Sequence, residues 1–187
     1  EPDENATATI NYTSGTTARP KGVELTHRNL WTNAVTFALH AGVTDRDVHL
    51  HTLPMFHCNG WGMPFAMAGM GVKQVVLRKV DGGEILRRVE QHGVTVMCAA
   101  PAVVNAVLDA ASRWEGEIPG RDRVRIIVAG APPPTKTIAR VEVELGWTPV
   151  DRLRLGATLV HIDAEFKDFL TDDPFTPGNA FVQVAGN

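Results

Sequence analysis

Along its first 145 residues the chain alternates short apolar runs with segments of helical periodicity. Residues 48–53 alternate apolar and polar side chains, residues 72–77, 94–99 and 124–128 are largely apolar, and each of the four segments has the length of a strand. In the intervening segments apolar side chains recur every three or four positions, as on one face of a helix. The predicted helical faces consist of Leu30, Ala34, Phe37 and Ala38; Ile85, Leu86 and Val89; Val103, Val104, Val107 and Leu108; and Ile138, Val141 and Leu145. This alternation predicts an α/β fold, a mostly parallel sheet with flanking helices.

Cap residues and loops refine this prediction. Thr26 and Thr135 are candidate N-caps, and Asp81 with Glu84 resembles a capping box. Residues 9–12 predict a further strand, and residues 55–71 predict a loop that leads into a buried helix. Two unusual loops, residues 13–22 and 129–134, follow predicted strands. Since parallel sheets bind ligands at the carboxyl ends of their strands, both loops are predicted to face one cleft there.

Composition narrows the class of protein. The chain has 187 residues, 44% of them hydrophobic, which suits one globular domain, and its net charge of -3 argues against nucleic acid or an anionic membrane as partner. No apolar run reaches the roughly 18 residues of a membrane span, and no secretory signal is expected. Cys58 and Cys98 are too far apart for a CxxC motif, so a reduced, cytoplasmic location is expected. Because the chain begins with Glu1, it is interpreted as a piece of a longer protein.

The most informative segment is residues 12–22, with the sequence YTSGTTARPKG. Glycine allows the backbone N–H groups to turn towards a phosphate, hydroxyls donate from the side, and Lys21 supplies a positive charge. The pattern is not a Walker A loop, because no Gly-Lys-Ser/Thr sequence occurs. The alternative is a solvated turn between secondary structure elements. The candidate phosphate ligands are Thr13, Ser14, Gly15, Thr16, Thr17, Lys21 and Gly22.

A second segment, residues 53–60 (LPMFHCNG), contains His57 among apolar neighbours. By itself such a histidine is more often part of a core than of a site, and the nearby apolar Trp61 and Phe65 fit either a core or the wall of a binding pocket. His49 and His51 lie on one strand face, as metal ligands do, but no third ligand is evident, so they are interpreted as structural. In a third segment Gly130, Ala131 and Pro132 form a turn after a predicted strand, and by itself a Gly/Pro turn that ends a strand is the commoner explanation.

Taken together, the three segments resemble the adenylate-forming (AMP-binding) superfamily. Its phosphate signature is Tyr-Thr-Ser-Gly-Thr-Thr-Gly-x-Pro-Lys-Gly, matched here except that Ala18 replaces a glycine. Its Pro-x-Phe-His-x-x-Gly and Gly-Ala-Pro motifs follow in the same order over roughly 130 residues. Within this superfamily the chain resembles a fragment of the N-terminal domain of a fatty-acyl-CoA synthetase.

The resemblance implies a reaction with ATP, Mg²⁺, CoA and a fatty or aryl carboxylic acid. The acid would attack the α-phosphate to give an acyl-adenylate, and CoA would then displace AMP. Lys21 and His57 would be the catalytic residues, with His57 beside the acyl group. Gly130, Ala131 and Pro132 would pack against adenine, and Thr158 would correspond to a phosphate-binding threonine.

Beyond residue 147 the likeness weakens, so the chain is divided into an AMP-binding-like region, residues 1–147, and a divergent tail, residues 148–187. Where the family carries Tyr-Gly-x-Thr-Glu, residues 155–159 read LGATL, and Leu159 cannot bind magnesium. The ribose-binding aspartate, the hinge and the C-terminal lysine-bearing domain are not found. We therefore expect a nucleotide-binding portion that is inactive alone. The alternatives are a non-catalytic nucleotide- or acyl-binding module and a structural fragment; the acid and the oligomeric state remain open.

Overall fold

The computed structural model describes residues 3–13, 19–128 and 134–150. The strands are β1 (Thr7–Thr13), β2 (Lys21–Thr26), β3 (Val48–His51), β4 (Lys73–Val76), β5 (Val96–Ala99), β6 (Arg125–Val128) and β7 (Thr148–Pro149). The helices are α1 (His27–Ala41), α2 (Met63–Gly69), α3 (Gly82–His92), α4 (Pro101–Ala111) and α5 (Thr135–Arg140), and a single π-helical turn, Val141–Leu145, extends α5. Within these ranges no helix has the length and apolarity needed to cross a bilayer.

Five of the strands form a parallel sheet in the order β4-β3-β5-β6-β7. Helices connect its strands, as parallel pairing requires. This confirms the α/β fold predicted from the alternation of apolar runs and helical segments. Residues 148–150 continue the sheet beyond β6, while the division of the chain at residue 147 stays a prediction.

The other two strands form a separate antiparallel hairpin. β1 pairs with β2, so the polar loop predicted over residues 13–22 joins two hairpin strands rather than a parallel strand and a helix. The prediction was wrong because residues 21–26 were divided between the loop and the start of the helix. Their β-branched and alternating side chains instead complete the hairpin with β1.

The parallel sheet buries two faces that differ in composition. One, here called the α3–α4 face, packs strand residues such as Leu50, Met97 and Ile126 against α3, α4 and the turn after α5. The other, the α1–α2 face, packs Val96 and Cys98, among others, beneath α1 and α2. Because side chains alternate along each strand, neighbouring residues belong to opposite faces.

Two of the three predicted cap assignments need correction. Thr26 forms the predicted N-cap of α1, within a capping box whose other member is Asn29. Asp81 caps α3 by accepting from the Glu84 N–H, but the Glu84 carboxylate binds two arginines of α3 instead of closing the box. Thr135 is the first helical residue of α5 rather than its cap, because Pro134 occupies the N-cap position.

Candidate functional site

The hairpin brings two predicted phosphate ligands to one place. Thr13 and Lys21 are paired across the antiparallel register, so they stand side by side where residues 14–20 leave and re-enter the hairpin. The Thr13 side chain is exposed and the Lys21 side chain is half-buried. A residue with a hydroxyl group is therefore paired with one that carries an ammonium group, a combination suited to an anionic ligand.

Gly22 has a packing reason of its own. It pairs with Tyr12, and a Cβ on Gly22 would lie 3.3 Å from Ile10 Cγ2 and 3.5 Å from the Tyr12 ring. Glycine thus makes room for a tyrosine ring that crosses the hairpin while 72% of the residue stays exposed. The structure gives this glycine a role in the shape of the hairpin, and a phosphate contact from it stays a prediction.

Helix α1 holds the hairpin from its other end. The chain passes directly from β2 into α1, and the first-turn N–H groups of His27 and Arg28 donate to the carbonyls of Ala6 and Glu4. Arg28 also forms an ion pair with the Glu4 carboxylate. The position of Lys21 is consequently tied to that of α1.

The segment that carries His57 leaves the carboxyl end of β3. Thr52 anchors its start, since its buried hydroxyl donates to the carbonyl of Cys98 at the end of the neighbouring β5. The His57 side chain is exposed, and its Nε2 lies 3.8 Å from Cys58 Sγ. Phe56 before it is 93% exposed. The structure therefore places His57 on the surface at the carboxyl edge of the sheet, and not in the core.

The chain forms a left-handed turn after His57, which the sequence pattern did not predict. Residues 58–62 all have positive φ, from 49° at Cys58 and Asn59 to 69° at Gly62. Left-handed backbone costs about 1–2 kcal/mol for each residue with a side chain, so the turn is strained at its non-glycine positions. Glycine suits position 62 because φ there is 69°, and a Cβ would also lie 2.6 Å from Asn33 Oδ1 of α1, so that the Asn33 side chain would have to move. The signal in the sequence was the cluster Asn-Gly-x-Gly, which tolerates this conformation.

His49 and His51 lie inside the α1–α2 face. Their ring centroids are 4.5 Å apart in an edge-to-face arrangement, and His51 Nε2 lies 2.7 Å from Gln74 Oε1. Both ring nitrogens of His49 lack a hydrogen-bond partner. Burial lowers the pKa of both histidines, that of His49 to about 3, with a smaller contribution from His51. In the described part of the chain, no group of three or more His, Cys, Asp or Glu side chains is arranged to hold a metal ion.

The third motif begins at the same edge of the sheet as the second. The chain leaves β6 at Val128, and β6 is separated from β3 by β5 alone. Two strand spacings amount to about 10 Å, less than the length of a nucleotide. The other predicted site residues, Ser14, Gly15, Thr16, Thr17, Gly130, Ala131, Pro132 and Thr158, lie outside the described residues. The common cleft of the two loops therefore stays a prediction.

Comparison with known proteins gives consistent matches. The model of a family described as AMP-binding enzyme matches residues 1–153. This chain is 44% identical to a 2-methylpropanoate–CoA ligase of Humulus lupulus over 133 residues, which are 71% of this chain and 23% of the ligase. Over 136 residues, 73% of this chain, it is 40% identical to the peroxisomal acetate/butyrate–CoA ligase of Arabidopsis thaliana, of which it covers 24%.

A solved structure matches as well. O-succinylbenzoate coenzyme A synthetase of Bacillus subtilis, in complex with ATP and a magnesium ion, superposes with a TM-score of 0.66 at 31% sequence identity. The match covers 79% of this chain and 30% of the synthetase. The chain thus spans about a quarter of the length of the curated relatives it matches.

Proposed function

The chain belongs to the AMP-binding enzyme family, and from that premise we propose that it is the nucleotide-binding portion of an AMP-forming carboxylic acid–CoA ligase. In the whole protein it would help to convert a carboxylic acid and ATP into an acyl-adenylate and pyrophosphate, before CoA displaces AMP. The observation that carries this proposal is the pairing of Thr13 with Lys21 at the base of the loop that holds the family's phosphate signature.

Each described residue has a defined task in this proposal. Lys21 neutralises charge on the β- and γ-phosphates as a point charge, and the Thr13 hydroxyl donates to a phosphate oxygen beside it. His57 lies at the carboxyl edge of the sheet, where it can contact the carboxylate of the acid. These residues position and neutralise the reactants, which is where most catalysis of phosphate chemistry originates.

Magnesium would supply further neutralisation of the phosphates. The relative from Bacillus subtilis was solved with ATP and magnesium, but the described residues of this chain contain no cluster of carboxylates that would hold the ion. Residue 159, where the family glutamate is expected, is leucine and lies outside the described residues. We therefore propose that the isolated chain binds nucleotide without efficient turnover.

Two classes of acid are candidates. The apolar Trp61 and Phe65, both half-buried at the α1–α2 face, favour a fatty or aryl acid. Two relatives at 40–44% identity are named for 2-methylpropanoate and for acetate or butyrate, which favours a short aliphatic acid. A panel that runs from acetate to palmitate, with benzoate and its derivatives, separates the two classes.

The first experiment measures binding by calorimetry. Lys21→Ala should weaken the binding of ATP by roughly tenfold or more and that of adenosine much less, because in this proposal Lys21 binds the phosphates of the nucleotide and not its adenosine part. The matched control is Lys73→Ala, an exposed lysine on the edge strand β4, which should leave both affinities unchanged. An equal loss for ATP and adenosine would show that Lys21 supports the fold instead.

The second experiment is ATP–pyrophosphate exchange by the purified 187-residue chain with the same panel of acids. Exchange should stay at least a hundredfold below that of a full-length ligase from the same family, since poor orientation of the nucleotide alone costs about that factor. Robust exchange that depends on both acid and Mg²⁺ would refute the proposed inactivity. It would also identify the class of acid.

A further inference from the structure

The interior of the α1–α2 face contains an unusual polar pair. Most of that face is alanine, methionine and valine, yet His49 and His51 lie within it with 1% and 6% of their surface exposed. Their rings are in edge-to-face contact, and His49 has no hydrogen-bond partner at either nitrogen. A neutral imidazole without partners already costs free energy in such a place, and a charged one costs much more.

We propose that the His49–His51 pair is an acid-sensitive latch, whose protonation detaches α1 and α2 from the sheet while the α3–α4 face stays folded. Two positive charges 4.5 Å apart, between the sheet and an apolar layer, repel each other and demand water. Opening of the layer on this face supplies that water. The α3–α4 face contains no buried histidine among the described residues, so it has no comparable response.

Among the described residues, no carboxylate forms an ion pair with either histidine, so none directly offsets protonation of the pair. Helix α2 has no titratable residue, and the buried face of α1 consists of alanines, with Phe37 partly buried beside them. From β5, Cys98 faces the same side, but burial raises the pKa of its thiol to about 12 and keeps it neutral. Asp47 lies two residues before His49 and is already paired with Arg125 of β6. From β4, Gln74 approaches His51 and carries no charge.

The direction of the pH effect follows from the lowered pKa values. In the open layer His49 has its ordinary pKa of 6.5, whereas burial in the closed layer lowers this pKa to about 3. The loss of stability of the closed layer is therefore absent above pH 6.5, grows as the pH falls, and is complete near pH 3. Between pH 7.5 and pH 5, His49 alone should raise the opening constant of the layer roughly 30-fold.

Opening of this layer would also affect the proposed site. Helix α1 holds the hairpin that carries Lys21, and α2 follows the left-handed turn after His57. This consequence rests on the proposed function, but the opening itself does not. Because the opening can be measured without nucleotide, a failure of the latch and a failure of nucleotide binding are distinguishable.

The test is hydrogen exchange with mass spectrometry on the 187-residue chain at pH 7.5 and pH 5.0, corrected for intrinsic rates. Peptides from α1 and α2 should lose protection about 30-fold, and peptides from α3 and α4 less than threefold. The variants His49→Phe and His49→Leu should remove the roughly 30-fold part of the difference that is due to His49 and leave only the part due to His51. The control His40→Gln removes an exposed histidine of α1 and should preserve it.

Three results would overturn the proposal. One is equal loss of protection in both layers of the wild-type chain, which remains decisive even if neither His49 variant folds. Another is a pH-independent difference between the layers. The third is a fall in the Tm of the wild type on addition of EDTA at pH 7.5 that His49→Phe does not show, since the pair would then be a metal site.

Discussion

The two faces of the parallel sheet differ in what fills them. The α3–α4 face buries large side chains, among them Leu50, Ile85 and Leu108, and it ends at a fully buried Trp147. The α1–α2 face is built mainly from small and flexible side chains, with three alanines of α1 against methionines of α2 and two histidines beneath. The first face therefore gains more from apolar burial, at about 25 cal/mol per Å² removed from water.

The difference matters because both described segments of the proposed site join the weaker face. The hairpin continues into α1, and the turn after His57 continues into α2. Segments that bind ligands are commonly taken from the less stable part of a fold, since they must adapt. In the proposed function, the α3–α4 face supplies the rigid support and the α1–α2 face carries the segments with the candidate ligand-binding groups.

Among the variants that test this difference, Trp147→Ala should have the largest effect on stability. The indole fills the end of the α3–α4 face and donates from Nε1 to the Pro119 carbonyl at 3.0 Å. Its loss should lower the free energy of unfolding by about 3–5 kcal/mol in urea titrations. The control Trp31→Ala, on α1 with 61% of the residue exposed, should cost roughly 0.5 kcal/mol or less. Similar losses for the two variants would mean that the faces do not differ.

A smaller effect is expected at the crossing of α3 and α4. A Cβ on Gly82 would lie 2.0 Å from the Ala106 carbonyl oxygen, so Gly82→Ala should force the helices apart at a cost of about 3 kcal/mol. The neighbouring Gly83 is the matched control, because a Cβ there meets only side-chain atoms at 3.4 Å or more. Gly83→Ala should be neutral or slightly stabilising. Equal unfolding midpoints would show that the helices are not in close contact.

The smallest effect concerns the polar anchor of the α1–α2 face. Arg125 donates to the carbonyls of Ala41 and Gly42, at the end of α1, and to the Asp47 carboxylate at 2.6 Å. Arg125→Met should cost about 1–2 kcal/mol, between the values for surface and buried pairs. Arg140→Met removes an exposed pair with Glu144 and should have no measurable effect. A comparable loss in both variants would show that burial does not distinguish the pairs.

The same anchor has a pH dependence of its own. Burial opposes ionisation of Asp47, but hydrogen bonds from Arg125, Thr95 and Thr44 outweigh it and lower its pKa below 3.8. Its contribution to stability is therefore present above pH 3.8 and is lost as the pH falls through the folded-state value. Asp47→Asn should remove that part of the acid dependence. The loss due to His49 begins near pH 6.5, so titration of the unfolding midpoint separates the two groups.

Much of the fold was predictable because its pattern is local. The sequence pattern identified four of the five strands of the parallel sheet, β3 to β6, together with helices α1, α3 and α4 and the cap at Thr26. It did not predict β7, which lies in the segment assigned to the divergent tail. The hairpin was missed because residues 21–26 become a strand only by pairing with β1, a contact that periodicity does not reveal. The capping box predicted at Asp81 was correct only in part. Asp81 caps α3, but the Glu84 carboxylate accepts from Arg87 and Arg88.

The candidate site divides in the same way. Its chemistry is predicted from residue types, because hydroxyls, glycine and Lys21 in one short segment favour an anion-binding loop, and it stays a prediction. The geometry was not readable. Only the antiparallel register sets Thr13 beside Lys21, and only the backbone conformation of the turn, with φ of 69°, shows why residue 62 is glycine.

The sequence by itself thus determined the alternation of helices with strands β3 to β6, the family and the kinds of group available for chemistry. These depend on residue spacing and side-chain identity, which folding does not change. The tertiary structure decided which groups meet: the His49–His51 contact, the left-handed turn after His57, and the unequal filling of the two sheet faces. Contacts between residues distant in sequence depend on how helices and strands pack, and a linear pattern contains little of that information.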